Sequence, residues 1–146
     1  MNKYSKNSES KLLQAHPDLQ LIFKTVLQGW DNTILTGHRN EADQTKMFSN
    51  KPKLSKVKWP NSKHNSVPSM ALDVSPYPIP EKWGEGNRNE YEKFRYFAFY
   101  VIGVADALYL DGAIGYKLRW GGDWDMDNDV GDQTFEDLVH FEIVGA

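Results

Sequence analysis

The chain has 146 residues, enough for one domain (expected over 1–146) that buries roughly two-thirds of its unfolded surface, and 40% of them are apolar, including five Trp, seven Tyr and seven Phe. A formal net charge of -3 favours no charged partner class, and the absence of cysteine excludes disulfides, thiolate metal sites and a Cys nucleophile. Any metal must therefore be held by histidine and carboxylate. The start, Met1 to Asn7, lacks the apolar core of a secretory signal, and no run approaches the roughly 18 apolar residues of a membrane span. In chain order, Ser8 with Glu9 and Lys11-Leu12-Leu13 reads as a short capped helix. Pro17 opens a second helix carrying Leu19, Leu21-Ile22 and Val26-Leu27. Asn32 to Thr36 is a strand ending at Gly37, and Glu41 to Phe48 a helix. Met70 to Val74 is a second strand, closed by Ser75-Pro76-Tyr77-Pro78.

The longest helix is expected from about Asn89 to Leu110, because Phe94, Phe97, Ala98, Val101, Ala105 and Leu108 recur at three- and four-residue intervals. Gly103 inside it costs roughly 1 kcal/mol against alanine, which implies close packing there. Tyr116 to Trp120 and Val139 to Val144 are further strands. Helices segregated from a small, mainly antiparallel sheet define a single α+β domain.

His64, Asp73 and His140 carry the chemistry. Each histidine alone has an ordinary reading as a hydrogen-bonded structural residue near a strand. Asp73 does not, because it follows Met70-Ala71-Leu72 in an apolar strand where an ionised carboxylate needs a partner. Two neutral imidazoles and one carboxylate form a three-ligand zinc site with the fourth position left for water, the pattern of a catalytic centre. Asp137 nearby is a ready proton acceptor for that water.

The flanking residues add to this. Ser62-x-His64, Ala71-x-Asp73 and Asp137-x-x-His140-Phe141-Glu142, with Trp120-Gly121-Gly122-Asp123-Trp124 between, resemble the zinc D,D-carboxypeptidase-like superfamily. The chain looks most like its bacteriophage L-alanyl-D-glutamate peptidases, the endolysins. The resemblance runs from Thr36-Gly37-His38-Arg39 to Glu142. It implies a zinc D,D-peptidase-like fold and one catalytic Zn2+ on His64, Asp73 and His140, with Asp137 as acid/base. Arg39 matches the family's arginine, which implies substrate-carboxylate binding or oxyanion stabilisation. Eight residues, Asn65 to Leu72, separate His64 from Asp73 where the family usually places six, with Pro68 and no glycine among them. A longer loop absorbs two residues at little entropic cost.

Glu142, two residues beyond His140 on a strand, points to the same face and either orients that histidine or pairs with a lysine. Ser62 is expected to hydrogen-bond near the site, and Trp124 and Tyr77 to wall a cleft, unless they are simply packing. The resemblance implies a zinc endopeptidase that hydrolyses the L-alanyl-D-glutamate bond of peptidoglycan stem peptides and lyses the host. The runner-up is a D,D-carboxypeptidase or dipeptidase of the same superfamily, and a different class is a non-catalytic, metal-stabilised wall-binding module. The expected protein is a monomer with peptidoglycan as its partner, made in the host cytoplasm without a signal peptide and acting on the wall after release.

Two charged runs complete the reading. Six lysines and no acid lie between Lys46 and Lys63, and seven acids and no base between Asp123 and Asp137. Both read first as solvated loops. The lysines show no nucleic-acid motif, so no nucleic-acid partner is expected, and attraction to anionic wall polymers is their more natural use. Asp125, Asp127, Asp129 and Glu136 match positions 1, 3, 5 and 12 of a calcium loop, although its glycine falls at position 7 instead of 6. Ca2+ is therefore a candidate second ion.

Overall fold

The structure, a computed structural model, describes residues 1–81, 88–133 and 135–145; residues 82–87, Thr134 and Ala146 of the expected domain lie outside the described residues. Among those described, the elements are α1 (Lys6–Leu12), α2 (Pro17–Gly29), β1 (Asn32–Thr36), α3 (Glu41–Ser49), a 3-10 turn (Lys63–Asn65), β2 (Ala71–Pro76), α4 (Arg88–Leu110), β3 (Lys117–Gly121) and β4 (Asp137–Val144). The four strands form one antiparallel sheet in the order β1-β2-β4-β3, so the expected α+β class holds.

Strand alternation divides this sheet into two functions. On one face Leu72, Val74, Leu118, Trp120, Phe141 and Ile143 are buried against α2 and α4. Phe141 meets Phe23 at 5.4 Å and Phe97 at 6.2 Å, both edge-to-face. Each such ring contributes roughly 1.5–3 kcal/mol through burial. The alternate residues Asp73, Arg119, His140 and Glu142 leave the opposite face, which is where the site forms. The α4 stripe packs as its spacing predicts, with Phe94, Phe97, Ala98, Val101 and Ala105 buried.

Three local expectations change. The cap of α1 is Ser5, whose side chain accepts from the Ser8 N–H; Ser8 is buried inside the helix and its hydroxyl accepts from the Ile34 N–H of β1 at 3.1 Å. Gly103 is exposed, with open space where a Cβ would stand, so close packing does not explain it. β4 begins at Asp137, two residues before the apolar pattern suggests, because Asp137 pairs with Gly121 across an irregularity in the β3 register. No described helix is long and apolar enough to cross a membrane.

Candidate metal centre

Asp73 and His140 are directly opposed residues of antiparallel neighbours, β2 and β4, so both side chains rise from the same face at close range. His64 arrives from the 3-10 turn, which Ser62 and Asn65 hold in a reciprocal capping box. Ser62 thus acts on the backbone of His64, accepting from its N–H at 3.3 Å, and not on the ring. Between His64 and Asp73 the chain bulges outward at the exposed Ser66-Val67-Pro68, and the Met70 N–H to Lys63 carbonyl bond re-closes the loop at 2.9 Å.

Three donor atoms converge. His64 Nε2 lies 3.2 Å from Asp73 Oδ1 and 3.2 Å from His140 Nδ1, and His140 Nδ1 lies 3.3 Å from Asp73 Oδ1. An ion bound tetrahedrally at about 2.0 Å needs ligands about 3.3 Å apart, so the triangle fits zinc without rearrangement. Each ring is fixed through its other nitrogen. His64 Nδ1 donates to the Gly37 carbonyl at 2.8 Å, and His140 Nε2 donates to Glu142 Oε1 at 2.8 Å. When the rings are neutral, those acceptors leave the inward nitrogens as lone-pair donors. Glu142 also accepts from Arg119 at 2.7 Å and lies 3.6 Å from Lys63 Nζ. It therefore fulfils both readings at once, orienting the histidine and pairing with a lysine.

The electrostatics follow from this crowding. Burial works to raise the Asp73 carboxyl, but the two imidazoles outweigh it and hold the group far below the usual carboxylate range. Burial likewise opposes charge on His140, yet the hydrogen bonds it donates to Asp73 and Glu142 lift its pKa to about 9 in the metal-free protein. For Glu142 burial is again the largest influence, outweighed by His140 and Arg119, which lower it to about 2. Asp137 moves the other way: burial and then the Asp73 charge raise it, against His140, His64 and Arg39.

The donors open onto a cavity of about 570 Å3 that Asp137, Arg39, Ser62 and Trp124 also line. Arg39, almost wholly buried, places one guanidinium nitrogen 3.5 Å from Asp73 Oδ2 and another 3.0 Å from Gln44 Oε1. Its geometry favours holding the ligand carboxylate over catching a substrate carboxylate. Trp124 walls the cavity 5.5 Å from the His140 ring. Tyr77 is not among the lining residues; it is 57% exposed, four positions past Asp73, with its N–H on the Asp31 carbonyl.

Nor are the four candidate calcium ligands brought together. Glu136 turns to α4, bonding Tyr91 Oη and Arg95, while Asp127 and Asp129 accept from the N–H groups of Asp129 and Gly131. The acids whose oxygens converge are Asp123, Asp125 and Asp127, and the first of these already accepts the N–H groups of Asp127 and Asn128.

Residue-type reasoning missed Gln44, Asn65 and the carbonyl of Gly37. Fully buried Gln44 receives Arg39 and Asn65 on its oxygen and donates to Ser55 Oγ and the Val57 carbonyl, joining α3 to the turn and to the lysine-rich segment. A polar helix such as α3 gives little sign of a buried glutamine. The structure accounts for the glycine at 37, since a Cβ there would lie 2.5 Å from the Lys11 carbonyl oxygen.

A buried pair of histidines with one carboxylate, open to a cavity that a further aspartate also lines, is an arrangement suited to a metal-dependent hydrolase. The family model described as phage L-alanyl-D-glutamate peptidase matches residues 1–144, and the chain belongs to that family. It is 30% identical over 148 residues to the L-alanyl-D-glutamate peptidase of Escherichia phage T5, covering 97% of this chain and 98% of the relative. The fold is similar to that of the Serratia marcescens L-Ala D-Glu endopeptidase ChiX, with a TM-score of 0.68 at 23% identity over 97% of this chain and 89% of the other.

Proposed function

We propose that this chain is a zinc-dependent endopeptidase that hydrolyses the L-alanyl-D-glutamate bond of peptidoglycan stem peptides, in the service of host-cell lysis. The observation that carries the chemistry is the triangle of donor atoms, 3.2–3.3 Å on each side, beside Asp137 in one cavity. Family membership over residues 1–144 carries the choice of bond.

His64, Asp73 and His140 would hold the ion through Nε2, Oδ1 and Nδ1. Zinc bound there supplies Lewis acidity, which polarises a peptide carbonyl and acidifies water. The protein's own residues do the rest. Asp137 accepts the proton of the attacking water and returns it to the departing amine. Its raised pKa suits both directions, since a strongly acidic carboxylate would take the proton poorly. Gly37 and Glu142 keep each imidazole in the tautomer that presents a lone pair. Arg39 holds the outer oxygen of Asp73, and its charge favours negative charge developing in the cavity. Trp124 walls the site beside His140.

Mass spectrometry of purified peptidoglycan digested with the zinc-loaded protein tests this reading. Stem peptides with a new amino terminus on D-Glu are the expected product. Loss of terminal D-Ala instead would move the enzyme to D,D-carboxypeptidase chemistry, and intact peptidoglycan would reject a lytic peptidase altogether.

A further inference from the structure

One wall of the cavity is built from alternating charge and aromatic rings. Trp124 and Phe135 stack with centroids 6.2 Å apart and planes 18° apart. The Trp124 indole N–H donates to the Phe135 carbonyl at 2.8 Å, which fixes the pair. The Arg119 guanidinium lies 5.6 Å from the Trp124 ring, and Lys56 Nζ lies 4.2 Å from the Phe135 ring. All four residues line the cavity.

Neither cation is consumed by its neighbours. Lys56 is exposed and makes no ion pair among the described residues. Arg119 donates through one terminal nitrogen to Glu142, which Lys63 also approaches, so two cations face one carboxylate. Its Nε is buried and bonded to none of the described residues, so what it can offer a ligand is the remaining N–H groups of its terminal nitrogens. Arg39 is engaged with Asp73 and Gln44. Over the whole lining, four cations (Arg39, Lys56, Lys63 and Arg119) stand against three carboxylates (Asp73, Asp137 and Glu142), before any metal is counted. With a cation over each ring, the stack offers charge in place of an open aromatic face for a sugar.

We propose that this wall is a specificity subsite for an acidic peptide: Arg119 takes the free carboxylate of the glutamyl residue that follows the scissile bond, and Lys56 attracts a carboxylate further along the chain. The inference rests on the L-alanyl-D-glutamate reading and deepens it. A glutamyl residue joined through its nitrogen at the scissile bond and through one carboxyl onward keeps its other carboxylate free. Arg119 stands where that charge can be met, because it adjoins both Glu142 and the Trp124 ring beside His140.

Two synthetic stem peptides test it, identical except that the glutamyl residue carries its free carboxylate or the neutral carboxamide. With zinc-loaded wild-type protein, kcat/KM is expected to favour the carboxylate by about tenfold or more, mostly through KM, as a charge-assisted hydrogen bond implies. In Arg119→Gln that ratio should fall to within about twofold. Both substrates are measured on the same variant, so any loss from a disturbed Glu142 or metal cancels. Lys56→Gln should lower kcat/KM about two- to fivefold on a peptide with a downstream carboxylate, and the loss should vanish in high salt, because an exposed charge is screened. Equal cleavage of both peptides by the wild type, or an undiminished preference in Arg119→Gln, would overturn the assignment of Arg119 while leaving the peptidase intact. A Lys56→Gln rate equal to wild type in low salt would overturn the outer position. Cleavage of neither peptide would remove the functional reading itself.

Discussion

His140 is gripped through both ring nitrogens, with Asp73 and His64 on one side and Glu142 on the other, so removing the ring and removing its partner should fail differently. His140→Ala deletes a donor, and zinc should be lost outright by metal analysis after dialysis. Glu142→Gln keeps the ligand but weakens the acceptor that sets its tautomer, and zinc affinity should fall about 10- to 100-fold in a chelator competition. Asp137→Ala touches no donor; it should retain one zinc per chain while kcat drops about 10²- to 10⁴-fold. A near-normal rate in that variant would end the role given to Asp137. The three converging donors and the neighbouring Asp137 were legible as a group because each sits in a short pattern of side chains. The clamps around them were not: Gly37 acts through a carbonyl oxygen that every residue possesses, and Gln44 acts from the buried side of a polar helix.

The elements were legible where burial follows a simple period. Leu72 and Val74 alternate with Asp73 on β2, and Phe141 alternates with His140 and Glu142 on β4, so one rule gives both the core face and the site face. Legibility failed at the glycines, because a sequence does not distinguish a glycine that leaves room from one that is merely tolerated. Gly121 is of the first kind. A Cβ there would collide with the Asp137 carbonyl oxygen. Gly121→Ala must therefore push β3 from β4 at the residue proposed as acid/base, and it should cost both stability and kcat. Gly103 is of the second kind, exposed on α4 with nothing near its absent Cβ. Gly103→Ala should raise stability by about 0.5–1 kcal/mol in urea denaturation, with activity unchanged. A destabilised Gly103→Ala protein would mean that an unseen neighbour occupies that face.

Across the whole molecule, the proposed zinc ion would have to displace a proton held at His140. His140 titrates at about 9 in the metal-free fold, because Asp73 and Glu142 outweigh the effect of its burial, against about 6.5 in an unfolded chain. The folded pKa is raised, so the protonated contact contributes stability that is fully present below pH ~6.5 and is lost as pH rises through ~9. Zinc requires the neutral imidazole and competes with that proton, so its apparent affinity should climb close to tenfold per pH unit between ~6.5 and ~8.5, and then level off. Metal-free protein should therefore lose stability over the interval in which zinc binds more tightly, and the gap between metal-loaded and metal-free melting temperatures should widen with pH. Calorimetric titration in buffers of different ionisation enthalpy measures the released proton directly, and about one per zinc is expected at pH 7. Zinc affinity that stays flat from pH 6.5 to 8.5, with no proton released, would show that His140 is already neutral and that the carboxylates around it do not set the metal's pH dependence.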